Sequence, residues 1–314
     1  AKIADLVVIK DGSVADGSTA NTLRVKVTDA FGNALAGQTV SVSADNGAAV
    51  AATVITGPDG AAIITVTSQT AGASTVTASI SNSTLSQNVT FIADVSTAKI
   101  ADLVVIKDGS VADGSTANTL RVKVTDAFGN ALAGQTVSVS ADNGAAVAAT
   151  VITGPDGTVE ITVTSQTAGI STVTASINNS ILNQNVTFIP DVSTAKIADL
   201  VVIKDGSVAD GSTANTLRVK VTDAFGNALA GQTVSVSADN GAAVAATVIT
   251  GPDGAAIITV TSQTAGASAV TASINSSSLS QNVTFVPGDA SQLTSTVETN
   301  KSNYTVGETI TITV

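Results

Sequence analysis

Apolar and polar residues alternate along much of the chain, a pattern typical of half-buried β-strands. Leu23, Val25 and Val27 share one face of a predicted strand. Arg24 and Lys26 share the other face. Similar runs predict further strands over residues 6–9, 39–43, 49–56, 62–67, 75–80 and 87–92. About seven strands with this spacing, and no segment with helical periodicity, predict an all-β fold of the sandwich type.

Turn residues separate the predicted strands. Residues 45–47 read Asp-Asn-Gly, and Asn-Gly favours a type I′ turn because both of its central residues need positive φ. Residues 57–60 read Gly-Pro-Asp-Gly, which predicts a second turn. We expect most aspartates of this segment to bind backbone N–H groups at turns, namely Asp11, Asp16, Asp29, Asp45 and Asp59.

The sequence repeats with a period of 97 residues, and residues 1–60, 98–157 and 195–254 are identical. This period suits one independent domain and is too long for a solenoid unit. We therefore predict domains at 1–95, 96–192 and 193–289. Ile63 of the first copy is replaced by Glu160 in the second, which predicts that this position faces solvent.

Residues 290–314 are predicted to be the truncated start of a fourth, divergent repeat. Residues 304–314 align with the segment that begins at Val14. Two strands cannot bury a core of their own, so we expect this segment to be poorly ordered or held by outside contacts. The chain as a whole is expected to be an internal segment of a longer protein.

Composition narrows the function. The chain has no His, Cys, Met or Trp, so it has neither a Ser-His-Asp triad nor a cysteine nucleophile, and we predict no enzymatic activity. A net charge of −11 argues against nucleic acid and against unaided binding to anionic lipid. Residues 48–55, the longest apolar run, are too short to insert into a membrane. Phe31 and Phe91, the only aromatic residues of the first copy, are expected in the core.

Calcium is the one metal considered, because hard cations bind clustered oxygen atoms. Asp94, Asp102 and Asp108 lie near the first predicted domain junction and are weak candidate ligands. No Asp-x-Asp sequence or EF-hand loop occurs, and turn capping explains the same residues. We therefore predict no cofactor, with junction calcium as the alternative.

Two other kinds of surface chemistry are disfavoured. An intramolecular Lys–Asn crosslink needs a buried lysine, whereas Lys26 lies on the polar face of its strand. Thr65 and Thr67 on one strand, and Thr75 and Thr77 on another, suggest an ice- or sugar-binding face. The two strands are predicted to lie in opposite sheets, so these threonines are ordinary solvent-facing strand residues.

Two motifs recur in every copy, Asp-Ala-Phe-Gly-Asn at 29–33 and Gly-Pro-Asp-Gly at 57–60. A third comprises the Thr-Ala-Gly and Thr-Val-Thr-Ala sequences within 65–78, and the third copy differs from it only in having Ala269 as the first residue of Thr-Val-Thr-Ala. Together they resemble the bacterial Ig-like repeats of the intimin and invasin adhesins, the inverse autotransporter family. The resemblance implies Ig-like sandwiches displayed outside a Gram-negative cell, with an outer-membrane anchor and a distal tip that contacts a host receptor. No part of this chain matches the anchor or the tip, so no receptor-binding residue is carried over.

The leading hypothesis is a structural stalk that holds a distal binding domain away from the outer membrane. Residues 94–97 form a short, polar, glycine-free connection, which predicts an elongated rod of domains whose partners are the neighbouring Ig-like domains of the same chain. The alternative is that the repeats are themselves multivalent binding modules for host or matrix ligands.

Overall fold

The computed structural model describes residues 1–289 and 297–313. Repeats 1, 2 and 3, which begin at Ala1, Ala98 and Ala195, each contain nine strands. Those of repeat 1 are β1 Lys2–Lys10, β2 Ser13–Val14, β3 Asn21–Thr28, β4 Thr39–Ala44, β5 Ala49–Val50, β6 Thr53–Ile55, β7 Ala61–Thr67, β8 Gly72–Ile80 and β9 Ser83–Ile92. Those of repeat 2 are β10 Lys99–Lys107, β11 Ser110–Val111, β12 Asn118–Thr125, β13 Thr136–Ala141, β14 Ala146–Val147, β15 Thr150–Ile152, β16 Thr158–Thr164, β17 Gly169–Ile177 and β18 Ser180–Ile189. Those of repeat 3 are β19 Lys196–Lys204, β20 Ser207–Val208, β21 Asn215–Thr222, β22 Thr233–Ala238, β23 Ala243–Val244, β24 Thr247–Ile249, β25 Ala255–Thr261, β26 Gly266–Ile274 and β27 Ser277–Val286.

The strands of each repeat form two sheets around a shared core. In repeat 1 the four-stranded sheet has the order β1-β3-β7-β5, and the five-stranded sheet has the order β2-β9-β8-β4-β6. Neighbouring strands are antiparallel except for β2 and β9, where Ser13 lies opposite Phe91 in a parallel pair. Repeats 2 and 3 have the same order of equivalent strands. This is a β-sandwich of the Ig-like type, and it confirms the predicted fold class.

Apolar side chains from the inner faces of both sheets fill the core of repeat 1. Leu23, Val25 and Val27 are fully buried, as the alternation on β3 predicts. Phe91 is 1% exposed and is the largest buried side chain of the repeat. The other buried members of this core are Ile3, Leu6, Ala15, Val40, Val42, Ile64, Val66, Val76, Ala78 and Val89. Phe91 is thus the one aromatic ring in a core otherwise built from Val, Ile, Leu and Ala.

The difference between Ile63 in repeat 1 and Glu160 in repeat 2 correctly predicts which face of β7 is exposed to solvent. Ile63 is exposed on β7, whereas Ile64 and Val66 are fully buried. Ile63 lies opposite Arg24, and in repeat 2 the equivalent Glu160 lies opposite Arg121. The change to Glu160 therefore places opposite charges across two neighbouring strands, a favourable cross-strand pair.

The prediction that Phe31 belongs to the core is wrong, because this side chain is 93% exposed. Phe31 lies in the loop that follows β3. The Asp29 carboxylate accepts hydrogen bonds from the backbone N–H groups of Phe31 and Asn33, each at 2.9 Å. These bonds fix the loop at one end of the sandwich, outside the space between the sheets. Strand alternation gives no information about a side chain in such a loop.

The predicted single strand over residues 49–56 is also wrong. Asn46 and Gly47 have positive φ values of 51° and 72°, as predicted for the turn. The chain that follows pairs first with the four-stranded sheet through β5 and then with the five-stranded sheet through β6. A segment that changes sheets cannot remain one strand. Together with the short β2, this division gives nine strands where about seven are predicted.

A buried hydroxyl in each core leads to a stability prediction. Ser74 and its equivalents Ser171 and Ser268 are fully buried, and their hydroxyl oxygens have no hydrogen-bond partner. An unpaired buried polar group costs about 1–3 kcal/mol. We therefore expect alanine at all three positions to raise the free energy of unfolding by about 1 kcal/mol per repeat, measured by denaturant titration.

Ser13 provides a matched control for that experiment. It is also buried, but its hydroxyl donates a 2.8 Å hydrogen bond to the carbonyl oxygen of Ala20. Ser13→Ala removes this partner and should lower the denaturation midpoint. A lower midpoint for the Ser74, Ser171 and Ser268 variant as well would contradict the predicted gain.

The chain divides into two compact units, Ala1–Ile189 and Pro190–Val314. The first unit contains repeats 1 and 2, each with its own buried core. The second contains repeat 3, with a third core, and the chain that follows it. No helix within residues 1–289 and 297–313 is long and apolar enough to cross a membrane.

The predicted fourth repeat is described only over residues 297–313, and residues 290–296 lie outside the described part. Two short strands, β28 Glu298–Thr299 and β29 Ile312–Thr313, pair antiparallel with each other. All described residues of this segment are exposed except the partly exposed Tyr304. Its expected poor order stays a prediction.

Candidate functional site at the junction of repeats 1 and 2

Aspartates at the turns of repeat 1 hold the backbone, as predicted. Each carboxylate accepts hydrogen bonds from backbone N–H groups: Asp11 from Thr90, Asp16 from Ser18 and Thr19, Asp29 from Phe31 and Asn33, Asp45 from Thr75, and Asp59 from Ala61. Hydrogen bonds from the Thr19 side chain, the Thr19 N–H and the Ser18 N–H hold the pKa of Asp16 well below its usual range. A carboxylate kept ionised in this way stabilises a turn and is unsuited to act as a general acid.

The three candidate calcium ligands belong to different structural elements. Asp94 caps the 3-10 turn that follows it. Asp102 lies on β10 opposite Lys123, and Asp108 accepts a 2.6 Å hydrogen bond from the backbone N–H of Thr187. In the described ranges, no group of three or more His, Cys, Asp or Glu residues could hold a metal ion. The absence of a cofactor stays a prediction, and junction calcium stays its alternative.

Two smaller expectations concern the strand surfaces. Thr65 and Thr67 lie on β7 in the four-stranded sheet, and Thr75 and Thr77 lie on β8 in the five-stranded sheet. Their placement in opposite sheets is confirmed. Lys26 is half-buried on β3.

A small hollow lies near the 68–70 turn of repeat 1 and near the equivalent turns of repeats 2 and 3, with volumes of about 290, 230 and 270 Å³. In repeat 1 it is lined by Gly17, Gly47, Ala49, Thr67, Ser68, Gln69 and Thr70. None of these side chains is ionisable. Such a lining supplies hydrogen bonds and hydroxyl groups, with no acid–base side chain among the lining residues to activate those hydroxyls.

The connection between repeats 1 and 2 is a capped turn. Asp94 accepts a 3.0 Å hydrogen bond from the backbone N–H of Ser96, and the 3-10 turn Val95–Thr97 follows. The Thr97 hydroxyl donates to the Asp94 carbonyl oxygen and accepts from the backbone N–H of Ala127 in repeat 2. This linker, residues 94–97, is thus bonded both to itself and to the following domain.

The junction loop, residues 126–130, has the sequence Asp-Ala-Phe-Gly-Asn. One carboxylate oxygen of Asp126 accepts from the backbone N–H groups of Phe128 at 3.0 Å and Asn130 at 2.9 Å. The other accepts from the Asn130 side-chain amide at 2.8 Å and from the backbone N–H of Asp94 at 3.1 Å. One carboxylate therefore binds the loop and the linker together.

The surroundings of Asp126 keep its carboxylate ionised. Burial by itself would raise the pKa of this fully buried residue. The hydrogen bonds from the Asn130 side chain, the Asp94 N–H, the Asn130 N–H and the Phe128 N–H outweigh burial and lower the pKa. An ionised acceptor makes each of these hydrogen bonds stronger than a neutral one would.

Asn130 extends the contact to the preceding domain. Its side-chain nitrogen donates to the carbonyl oxygen of Gln69 at 2.9 Å, and its side-chain oxygen accepts from the backbone N–H of Ala71 at 2.8 Å. Both partners belong to the junction turn of repeat 1, residues 68–71. One amide thus binds a donor and an acceptor of another domain's backbone, which fixes direction as well as distance.

Repeat 1 contains an identical loop, and its exposure shows how much the junction covers. Phe31 is 93% exposed, whereas the equivalent Phe128 is 48% exposed. Leu35 is half-buried, whereas the equivalent Leu132 is 3% exposed. The local sequences are the same, so the difference arises from the linker and from repeat 1 lying against repeat 2.

The linker contacts recur inside the second unit. The Asp223 carboxylate accepts from the backbone N–H of Asp191 at 3.1 Å, and the Thr194 hydroxyl accepts from the backbone N–H of Ala224 at 3.0 Å. The contacts are thus a property of the repeated sequence.

Sequence reasoning assigned no role at the junction to Asp126 or Asn130. The available signal was the pair of polar residues that flank Ala-Phe-Gly in every copy. Turn chemistry explains the aspartate within one domain, but the asparagine contact requires the spatial position of the neighbouring domain.

Comparison with known proteins places these features in a family. The sequence matches the bacterial Ig-like domain (group 1) family over residues 3–92, 100–189 and 197–286. It is 34% identical over 284 residues to the inverse autotransporter adhesin YeeJ of Escherichia coli (strain K12), a match that covers 86% of this chain and 12% of that protein.

The solved structure of one further protein shows the same kind of fold. Yersinia pseudotuberculosis InvD superposes with a TM-score of 0.57 at 17% identity, covering 91% of this chain and 98% of that structure. Invasin, described as a bacterial integrin-binding protein, matches at 27% identity and a TM-score of 0.47, covering 90% of this chain and 60% of that one. The repeats are adhesin-related, because the matched relative YeeJ is an inverse autotransporter adhesin. The family model matches three segments, and the three have the same order of strands in their two sheets. The chain therefore belongs to the bacterial Ig-like domain (group 1) family.

Proposed function

We propose that this chain is part of the stalk of a bacterial cell-surface adhesin, and that it holds a distal binding domain away from the outer membrane. The observation that carries the proposal is the hydrogen-bonded junction between repeats 1 and 2. The linker, the junction loop and the junction turn are bonded to one another through Asp126 and Asn130. A spacer needs such a junction, because a flexible connection would let successive domains fold back.

The strand lengths give the spacing that such a stalk adds. The longest strands of repeat 1 contain nine and ten residues. At about 3.3 Å per residue, with loops at both ends, one repeat supplies about 35–45 Å of reach. A stalk made of such units gains length by duplication, which agrees with the identity of 60 residues in three copies.

The repeat surfaces support a spacer more than a receptor-binding role. Interface hot spots are usually clusters of aromatic and arginine side chains. Repeat 1 has a single exposed aromatic residue, Phe31, and one arginine, Arg24, which lies 3.6 Å from Asp5 in an exposed ion pair. We therefore propose that a distal domain outside this chain makes the contact with the host.

A second candidate function is multivalent binding by the repeats themselves. Ile9, Ile55 and Ile63 are exposed on repeat 1, and isoleucine is also exposed at the equivalent positions of repeat 3, Ile203, Ile249 and Ile257. Repeated weak sites of this kind could act together through avidity. This candidate predicts measurable affinity in the array, whereas the stalk needs none.

Small-angle scattering tests the stalk through its length. Removing residues 98–194 joins Thr97 to Ala195 and recreates the natural sequence of the Thr97–Ala98 junction. We expect the maximum dimension of the 314-residue chain to fall by about 35–45 Å in the shortened chain. A compact particle whose maximum dimension hardly changes on deletion would contradict the stalk.

A further inference from the structure

The strand β9 leaves part of one edge of the five-stranded sheet open in repeat 1. The N–H and carbonyl groups of Thr75 are both bonded to Asp45, on the side of β8 that faces β4. Thr75 and the opposite Asn88 therefore form a pair without mutual hydrogen bonds. Because this alternates along the ladder, Thr84, Ser86 and Asn88 all direct their backbone N–H and carbonyl groups away from β8. Among the described residues, none is hydrogen-bonded to these groups.

The positions on either side of this segment are occupied. The strand β2 pairs with β9 only at its last two residues. Ahead of them, the Thr90 N–H donates to the Asp11 carboxylate at 2.6 Å. At the other end, the Ser83 hydroxyl accepts from the Ile3 N–H at 2.9 Å. The open edge, residues 84–88, thus offers three backbone donors and three backbone acceptors to a partner outside the repeat.

The same open edge occurs in the other two repeats. The backbones of Thr172 and Ala269, the equivalents of Thr75, are likewise bonded to aspartates on the far side of their strands. The open edges of repeats 2 and 3 are therefore residues 181–185 and 278–282. None of the three contains a charged residue or a proline.

Proteins usually prevent edge-to-edge pairing by making their edge strands short, irregular or charged. In repeat 1, β2, β5 and β6 contain only two or three residues. The longer β1 contains the charged Lys2, Asp5 and Lys10, and its register with β3 shifts at two places. By contrast, β9 has ten residues in unbroken register with β8 and has no ionisable side chain. Among the edges of repeat 1, the open edge of β9 is the one without these protections.

The open edge is complementary to itself. In an antiparallel pair related by a two-fold axis at Ser86, Thr84 lies opposite Asn88 of the second copy. Each of the three outward residues then exchanges an N–H and a carbonyl group with its partner, which gives about six hydrogen bonds. The chain has a net charge of −11, so two copies repel one another overall. None of the residues paired at this edge contributes to that repulsion.

We propose that residues 84–88 pair antiparallel with the same residues of a second copy of this chain and join two five-stranded sheets edge to edge. The contact consists of backbone hydrogen bonds, so it tolerates Ile181 and Asn183 where repeat 1 has Thr84 and Ser86. The equivalent edges of repeats 2 and 3 offer the same contact, and several weak contacts act together through avidity. This self-association goes beyond the proposed stalk and does not depend on it.

Sedimentation of the purified 314-residue chain tests the association. We expect the weight-average mass to rise reversibly above the monomer mass of 30.6 kDa between about 10 µM and about 1 mM. Lysine at the centre of each open edge places like charges directly opposite one another, and should move association to about tenfold higher concentration. The substitutions are Ser86→Lys, Asn183→Lys and Ser280→Lys. A wild-type chain that stays monomeric over this range would overturn the proposal.

Glutamate at the same three positions separates edge pairing from the effect of overall charge. Lysine makes the acidic chain less negative, and overall charge alone would then favour association, whereas glutamate would oppose it. Edge pairing predicts a loss with either substitution and recovery when the two variants are mixed, because opposite charges then face each other. Recovery also shows that both variants are folded. Loss with glutamate alone, or no recovery on mixing, would contradict pairing at this edge.

A matched control places the same charges on the face of the sheet. Ser41 lies exposed on the interior strand β4, away from the open edge. Lysine at Ser41 and at its equivalents Ser138 and Ser235 should leave association unchanged. An equal loss in this control would place the contact on the sheet face and overturn pairing by the edge.

Hydrogen exchange locates the contact within the strand. In the dilute chain the Ser86 N–H should exchange rapidly, and at about 1 mM it should exchange several-fold more slowly. The Leu85 N–H points toward β8, opposite Ala78, and should exchange at the same rate at both concentrations. Protection of Ser86 in the dilute chain would show that the edge is already closed. Association without slower exchange at Ser86 would place the contact elsewhere, and either result would overturn the proposal.

Discussion

Phe91→Ala is expected to destabilise repeat 1 by about 3–5 kcal/mol, the usual cost of truncating a buried phenylalanine. Phe91 is 1% exposed and packs where both sheets contribute mainly Val, Ile, Leu and Ala. These small side chains cannot collapse far enough to fill the space that the ring leaves. In a denaturant titration of the whole chain, one of the three sandwiches should unfold well before the other two.

Phe31→Ala is the control for that experiment, because it removes the same ring from the same repeat. Phe31 is 93% exposed, so its replacement should leave the free energy of unfolding nearly unchanged. Early unfolding caused by Phe31→Ala, or its absence with Phe91→Ala, would contradict the assignment of the single core aromatic.

Gly60→Ala is expected to be the second large perturbation, at more than about 2 kcal/mol for the repeat that carries it. Gly60 has a φ of 73°, and a Cβ there would lie 2.7 Å from the Val27 carbonyl oxygen and 2.9 Å from the Leu35 nitrogen. Both obstacles are backbone atoms that take part in the hydrogen bonds closing this end of the sandwich. They cannot move without breaking the contact between the turn and β3.

Gly12→Ala measures the backbone strain alone, so its comparison with Gly60→Ala isolates the steric part of the effect. Gly12 has nearly the same φ of 74°, but a Cβ there would have no atom within 4 Å. It should cost only the strain of placing alanine at positive φ, about 1 kcal/mol. Thermal unfolding of both variants gives the comparison. Equal losses of stability would show that backbone strain, and not the crowding around Gly60, sets the requirement for glycine.

The predictable part of the fold is the part governed by period-two patterning. The faces of β3 and the Asn-Gly turn follow from local sequence, because each depends on neighbours one or two residues away. The exposure of Ile63 follows from its replacement by Glu160 in the second copy. Phe31 and the divided strand at β5 and β6 do not follow from local sequence. The exposure of Phe31 depends on where its loop leaves the sandwich. The division into β5 and β6 depends on a change of sheet that the alternation of apolar and polar residues does not reveal.

The junction shows the same limit more clearly. Asp126 could be recognised as a turn residue, but Asn130 contacts Gln69 and Ala71, which lie about sixty positions earlier in the sequence. Nothing local distinguishes this asparagine from one that only closes its own loop. Three identical copies show that the motif matters, and the position of the neighbouring domain shows what it binds.

Binding of the purified 314-residue chain to host cells and matrix proteins tests most directly whether the repeats supply reach without affinity. The comparison is with the chain lacking residues 98–194, which keeps natural junction sequence and differs only in the number of repeats. The stalk predicts no saturable binding by either chain. Saturable binding that weakens when the repeat is removed would make the repeats binding modules in their own right and would contradict the account.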